Sequence, residues 1–387
     1  PVLDEEGKPT DLYRFDTPKD WNQEQTISIL AHDGVTVGDF KVIKRDPEKI
    51  PYGFNAESIK EMFNIDPVSR LGAPAYITPV NSSLAYVGGY LVVSHGDGSA
   101  PMYLDGRNGS KIGEIATGGL TVGAVTSDEG GNMLLCNHLD AAGTFNIYRT
   151  KSVTEAPTLF HSFENATDVP VGYHVKVHGN IDSDAVIILT HEGIAGVTET
   201  SKYTRVVVKG GAVVSTETVD LAGLGLSWGA APTNTAKVVP ASARPEDGVM
   251  LCYYSRNIIS YVSGTGKIAA EYDLAEVGAN GNYNTNCMES KTYNNATYTI
   301  SLITSHFPMW GVGPMLTVFD ITTPTSISKG KPVLANSEIE WFQTAAQGCA
   351  AADVVMAPSA DGFKVFIFYF DHNCSVIGGY SADCINI

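Results

Sequence analysis

The segment IDSDAVIILTH (181–191) decides the fold. Asp182, Ser183 and Asp184 form a tight polar turn, and the apolar run Ala185–Leu189 that follows reads as a buried strand. Thr190 and His191 close it with a small polar residue and an imidazole. The same pattern recurs in YLVVSH (90–95), MLLCNH (133–138), MLCYYSR (250–256), ISLITSH (300–306) and VFIFYFDH (365–372). Lead-in turns of the same kind are TSDEGGN (126–132), RPEDG (244–248) and PSADG (358–362). The closing pairs are Ser94-His95, Asn137-His138, Thr190-His191, Ser255-Arg256, Ser305-His306 and Asp371-His372, at successive spacings of 43, 53, 65, 50 and 66 residues. Five of the nine histidines in the chain take part. The repeat is therefore the strongest signal in the sequence.

Working outward, each pair leads through a loop to another strand, as in PMYLD (101–105), TFNIYRT (144–150), YTRVVVK (203–209), IISYVS (258–263) and MLTVFDI (315–321). Most units add a further strand: SKIGEI (110–115), TLFHSF (158–163), AVVSTETVDL (212–221) and KIAAEYDL (267–274). Before each unit comes a stretch of small residues: GAPAYITP (72–79), TVGAVT (121–126), YHVKVHG (173–179), APTNTAKVV (231–239), TNCMES (285–290) and AAQGCAAADVV (345–355). Four strands per unit, with a small-residue strand first against a crowded axis, is the pattern of a propeller blade. The fold predicted is an all-β propeller of six blades, or seven if residues 26–80 form a degenerate blade. The last unit lacks its outermost strand. TISILAHD (26–33) or TVGDFKVIK (36–44) is expected to supply it and close the ring. Asn55 is expected to cap a short helix over 56–65. This divides the chain into an N-terminal segment, 1–70, and blades over 71–387, within one domain overall.

Composition agrees with that architecture. The 387 residues are 43% hydrophobic and 17% charged, with 39 Gly and 19 Pro, which excludes disorder. No window approaches the roughly 18 apolar residues of a membrane span. A net charge of −17 repels phosphate backbones, so nucleic acid is not an expected partner. Low charge with abundant Gly, Thr, Ser and Tyr points outside the cytoplasm, to the periplasm or cell surface. The start at Pro1 reads as a processed chain whose anchoring signal has been removed. The six cysteines lack CxxC spacing, so a zinc ribbon is excluded. A hairpin turn centred on Gly379 would place Cys374 opposite Cys384 and allow a disulfide.

The SADG turn before an apolar strand and the stretch YVSGTGKIAAEYDL (261–274) resemble segments of bacterial propellers of the surface-layer and quinoprotein-like type. Over about residues 70–387 the chain is similar to extracytoplasmic β-propeller lipoproteins of gut Gram-negative bacteria, whose propeller follows a small immunoglobulin-like domain. The resemblance implies fold and location and carries no catalytic motif.

Strand order places the second-to-third loops and the blade-to-blade loops on one rim. His95, His138, His191, Arg256, His306 and His372 should therefore face one way. Trp228, Trp310 and Trp341 fall in loops of the same rim, near the acidic residues Asp97, Asp140, Glu192 and Asp371. Such a face suits a ligand, with the tryptophans stacking on the apolar side of a sugar ring and Arg256 with His306 favouring a carboxylate. The competing reading makes the repeated residues structural, each bonding a neighbouring backbone group, and the tryptophans blade packing. His174 and His178, about 13 Å apart on a strand, cannot share one metal ion. GLSWG (225–229) has the GxSxG form of a nucleophile elbow but is followed by Pro232 where a helix should begin. Ser127–Gly131 lacks the ending of a sialidase Asp box. No phosphate loop, dinucleotide fingerprint or calcium loop is present, so no cofactor is expected. The function expected is non-catalytic binding of a glycan or a surface partner. A glycoside hydrolase or lyase at the rim, and a structural or adhesion protein, are the alternatives.

Overall fold

A computed structural model describes residues 2–3, 9–10, 20, 22–30, 35–43, 53–72, 82–166, 169–192, 200–228, 237–253, 256–277, 283–305, 313–329, 332–342, 352–371 and 374–385. Two compact units part between Tyr52 and Gly53. In the first, four short strands form an antiparallel sheet in the order Pro9–Thr10, Val2–Leu3, Gln25–Leu30, Val37–Val42. The second is a β-propeller of six four-stranded antiparallel blades.

The blades begin with the inner strands Ser83–Val87, Ala124–Ser127, Val171–Gly179, Lys237–Pro240, Tyr283–Tyr293 and Ala352–Pro358. The repeated apolar runs are the second strands: Tyr90–Ser94, Met133–Cys136, Ala185–His191, Val249–Tyr253, Ala296–Ser305 and Lys364–Asp371. Their physical logic is visible in blade 3. Ile187 and Leu189 pack toward blade 2, while Val186 and Ile188, on the other face of the same strand, pack toward blade 4. A strand buried on both faces reads as a continuous apolar run, not an alternating one. Each of the six blade-to-blade seams holds its own hydrophobic cluster.

The ring is closed by an N-terminal strand, but not the one expected. The described parts of those two stretches pair with each other in the small sheet as Gln25–Leu30 and Val37–Val42, Gln25 opposite Val42 and Ile27 opposite Phe40. The closing strand is Gly53–Ile65, 13 residues antiparallel to Val376–Ile385 in blade 6. The helix expected over 56–65 is thus extended chain. Its residues have fair helix propensity, yet the open edge of blade 6 offers a full ladder of backbone bonds and outweighs propensity. Phe63 then packs in the seam between blades 6 and 1, while Phe54 and Ile59 pack on the seam between blades 5 and 6. A one-turn helix does follow, Pro67–Leu71, and Asp66 caps it by accepting from the Val68 amide at 3.0 Å.

Two further expectations are corrected. The inner strand of blade 1 is Ser83–Val87, and residues 73–79 of the stretch 72–79 lie outside the described residues. No turn exists at Gly379. Gly378 and Gly379 lie inside the strand Val376–Ile385, so Cys374 and Cys384 sit near its opposite ends as free thiols. The glycines serve packing. A Cβ at Gly378 would collide with the Tyr369 hydroxyl, and one at Gly379 would come within 2.7 Å of the Phe368 ring.

Candidate functional site

The inner strands are not lined by small residues alone. Each is an edge strand facing the axis, so its unpaired N–H and C=O groups need partners in a space nearly closed to water. Side chains from other blades supply them. Asp353 accepts from the Leu84 amide at 2.9 Å, Ser83 Oγ from Val125 at 2.9 Å, and Glu289 from Met356. In the reverse sense, Lys176 Nζ donates to Val354 O at 2.8 Å, and Lys291 Nζ donates to Ser127 O at 2.5 Å and Val177 O at 2.6 Å. Lys176 reaches from blade 3 to blade 6, and Lys291 from blade 5 to blade 2, so these ammonium groups cross the axis and join opposite blades.

The charges form a buried lattice. Lys176 Nζ lies 2.9 Å from Asp353 Oδ1 and 3.9 Å from Glu289 Oε1, and Lys291 Nζ lies 3.7 Å from Glu289 Oε1. Burial alone would lower the Lys176 pKa, but Asp353 and Glu289 outweigh it and the ammonium is held charged. Lower in the channel, His178 is pinned between the Ser290 and Thr292 hydroxyls, each at 2.9 Å, with Glu129 at 3.3 Å. Burial holds it uncharged at neutral pH. The turn Ser127–Gly131 is structural, since Asp128 within it accepts from the amides of Gly130, Asn132 and Ile181.

A second group of side chains gathers at the rim end, where the chain enters blade 3. Leu139 of blade 2 and Val171 exchange backbone hydrogen bonds at 2.9 Å, while Glu192 donates its amide to Pro170 O at 2.8 Å. The segment 170–174 is therefore flanked by His138 on one side and His191-Glu192 on the other. His138 fits between two glycines. A Cβ at Gly123 would come within 2.6 Å of His138 Cβ, and one at Gly172 would collide with Asn137 O. Gly172 also has φ 107, a conformation that suits glycine. So held, the imidazole stacks on Tyr173 with centroids 3.6 Å apart, and its Nε2 lies 3.6 Å from the exposed carboxylate of Asp140. Burial, then Asp140 and Glu192, push the Tyr173 phenol up to about 12.

Next along the strand, His174 Nε2 lies 3.5 Å from Glu192 Oε1, and Nδ1 accepts from Lys237 Nζ. Burial, with Lys237 and Lys176 nearby, holds His174 well below the imidazole range. Burial pushes Glu192 well above the carboxylate range, and Lys237 only partly offsets it. Neither carboxyl oxygen of Glu192 has a hydrogen-bond partner among the described residues.

The residues singled out in the sequence have diverse fates. His191 is fully buried, bonds Thr204 Oγ1 at 2.8 Å within its own blade, and offers its carbonyl to Trp228 Nε1 at 2.7 Å. Trp228, 1% exposed in the seam between blades 3 and 4, presents no face for stacking. His95 is buried edge-on to Phe370, at a 6.0 Å centroid separation. Arg256 opens a third strand instead of closing a second. It lies over the Tyr253 ring at 5.5 Å and pairs with Glu271. Trp341 is half-buried against the seam of blades 5 and 6, where Gly313 leaves room for its ring. His306, Trp310 and His372 lie outside the described residues. The structure thus brings together His138, His191 and the buried Trp228 in one sector. Sequence reasoning missed Tyr173, Lys176, Lys237, Glu289, Lys291 and Asp353. Their one signal was charge at strand period inside small-residue runs, as in YHVKVHG and MESK.

A six-bladed propeller with a charged, filled axis is the class of protein these features define. The chain belongs to the family described as Domain of unknown function (DUF8500), whose model matches residues 61–383. The fold is similar to the crystal structure of a DUF4623 family protein from Bacteroides eggerthii, with 14% identity over 94% of this chain and 83% of that one, and a TM-score of 0.59. The Neurospora crassa Pan2 WD40 domain matches more loosely, with 8% identity over 86% of this chain and 98% of that one, at a TM-score of 0.40. No curated protein sequence matches the chain.

Proposed function

We propose that this propeller is an extracytoplasmic binding protein that takes a glycan or a cell-surface partner on the rim around blades 2 to 4. The observation that carries this reading is the His138–Tyr173 stack, seated between two glycines, with the exposed carboxylate of Asp140 beside it. A phenol backed by an imidazole offers an apolar surface with polar edges, which is what a pyranose face and its hydroxyls match. The filled axis supports the reading by making the ring a rigid platform for rim loops. The low charge of the chain supports the extracytoplasmic address. The sequence adds Trp310 and His306, in a Pro- and Gly-rich segment outside the described residues, as further candidate contacts.

One observation favours a second reading, a glycoside hydrolase or lyase: an imidazole, a phenol and a buried carboxyl lie in one cluster, the materials of acid–base chemistry. A glycan array read alongside release of new reducing ends separates the two. In the binding reading, array hits weaken about tenfold in Tyr173→Ala, roughly 1–2 kcal/mol, and no sugar is released. Equal binding by Tyr173→Ala, His138→Ala and wild type, all folded, would remove this site. Sugar release that depends on these residues would establish the enzyme.

A further inference from the structure

We propose that Glu192, His174 and Lys237 form a subsite for the carboxylate of an acidic sugar, next to the His138–Tyr173 stack. The inference rests on the glycan reading above and adds the ligand class. Among the described channel charges, Asp353, Lys176, Lys291 and Glu289 each satisfy an amide or carbonyl of an inner strand. Glu192 does not. Its side chain is 6% exposed, its Oε1 lies 3.5 Å from His174 Nε2, and neither carboxyl oxygen has a hydrogen-bond partner among the described residues. A buried polar group without a hydrogen-bond partner costs stability, so its presence asks for a reason.

The local charge supplies one. Lys237 and Lys176 share the single carboxylate of Asp353, at 3.7 Å and 2.9 Å from its Oδ1, and His174 lies uncharged between Lys237 and Glu192. Burial also holds Glu192 toward its uncharged form, beside the Lys237 ammonium. An anion entering from the rim meets a carboxyl O–H able to donate to it and an ammonium to balance it. Hydrogen bonds from a neutral carboxyl to a carboxylate are short and charge-assisted. Tyr173, adjacent in the chain to His174, places the stacking surface next to that subsite. A sugar ring on the phenol with its carboxylate toward Glu192 uses both.

The test is calorimetric binding of an oligogalacturonate and of its methyl-esterified, uncharged counterpart, at fixed salt and pH 7. The acidic form should bind at least tenfold more tightly. Glu192→Leu should abolish that preference while leaving the uncharged ligand's affinity and the thermal midpoint intact or raised, because an unsatisfied buried carboxyl has been removed. Lys237→Met should also abolish the preference. Should that variant not fold, Glu192→Leu alone decides. Equal affinity of wild type for both ligands, or a preference that survives Glu192→Leu, overturns the subsite and leaves the binding reading standing. Failure of wild type to bind any glycan on the array overturns both.

Discussion

Lys176 shows how a single residue can be decisive without touching solvent. Its ammonium satisfies Val354 O, Asp353 and, more distantly, Glu289, and so ties blade 3 to blade 6. Removing one partner of a buried ion pair leaves the other charge uncompensated, which costs far more than the pair itself contributes. Lys176→Met should destabilise the protein by about 3–5 kcal/mol, measured by denaturant unfolding. Pairing it with Asp353→Asn should recover part of that loss, because the stranded charge is gone. A cost below about 1 kcal/mol for Lys176→Met would mean that Lys237, 3.7 Å from Asp353, neutralises that carboxylate without Lys176. None of this was legible in the sequence. A lysine in YHVKVHG carries the same letters whether its strand faces solvent or an axis.

At the scale of elements, the third and fourth strands of blade 6 carry the clearest lesson. Local propensity makes Gly378-Gly379 a turn and 56–65 a helix, both reasonable for isolated segments. The structure uses the glycines to fit a second strand unusually rich in aromatic rings, Phe366, Phe368, Tyr369 and Phe370, and uses 53–65 to cover the open edge. Gly378→Ala should therefore destabilise by about 1–3 kcal/mol through overpacking against Tyr369. The same change in a Tyr369→Ala background should cost less, with non-additivity of at least about 0.5 kcal/mol. Strict additivity in the double mutant would rule out this explanation of the glycines.

For the whole molecule, pH sums the buried titrations. Burial, with Lys202 nearby, lowers His191 to about 4 in the folded protein, against about 6.5 in the unfolded chain. Between those values the unfolded chain binds the proton first. The contribution of His191 is therefore complete above about pH 6.5 and is lost as pH falls toward 4, up to about 3 kcal/mol. His95, His138, His161, His174 and His178 are lowered too, which adds in the same direction. Glu192, raised by burial, acts with the opposite sign: its contribution is present below the ordinary carboxylate range and lost as pH rises through its raised value. The thermal midpoint should therefore drop steeply from pH 6.5 to 4, less so in His191→Gln. A flat profile over that interval would contradict the burial of these imidazoles.

The sequence by itself determined the repeat, the all-β class and the six second strands, because a strand buried on both faces must be apolar at every position and that constraint is written locally. It also determined that a strand from the N-terminal side completes the last blade. Only the tertiary structure decided which segment that is, since any extended stretch can satisfy an open edge and the choice depends on which one reaches it with the right side chains on each face. Only the tertiary structure, too, made the channel charged. Lys176, Lys291, Glu289 and Asp353 are distant in the chain, and a ring of edge strands around one axis is what gives each of them a buried backbone group or opposite charge to meet.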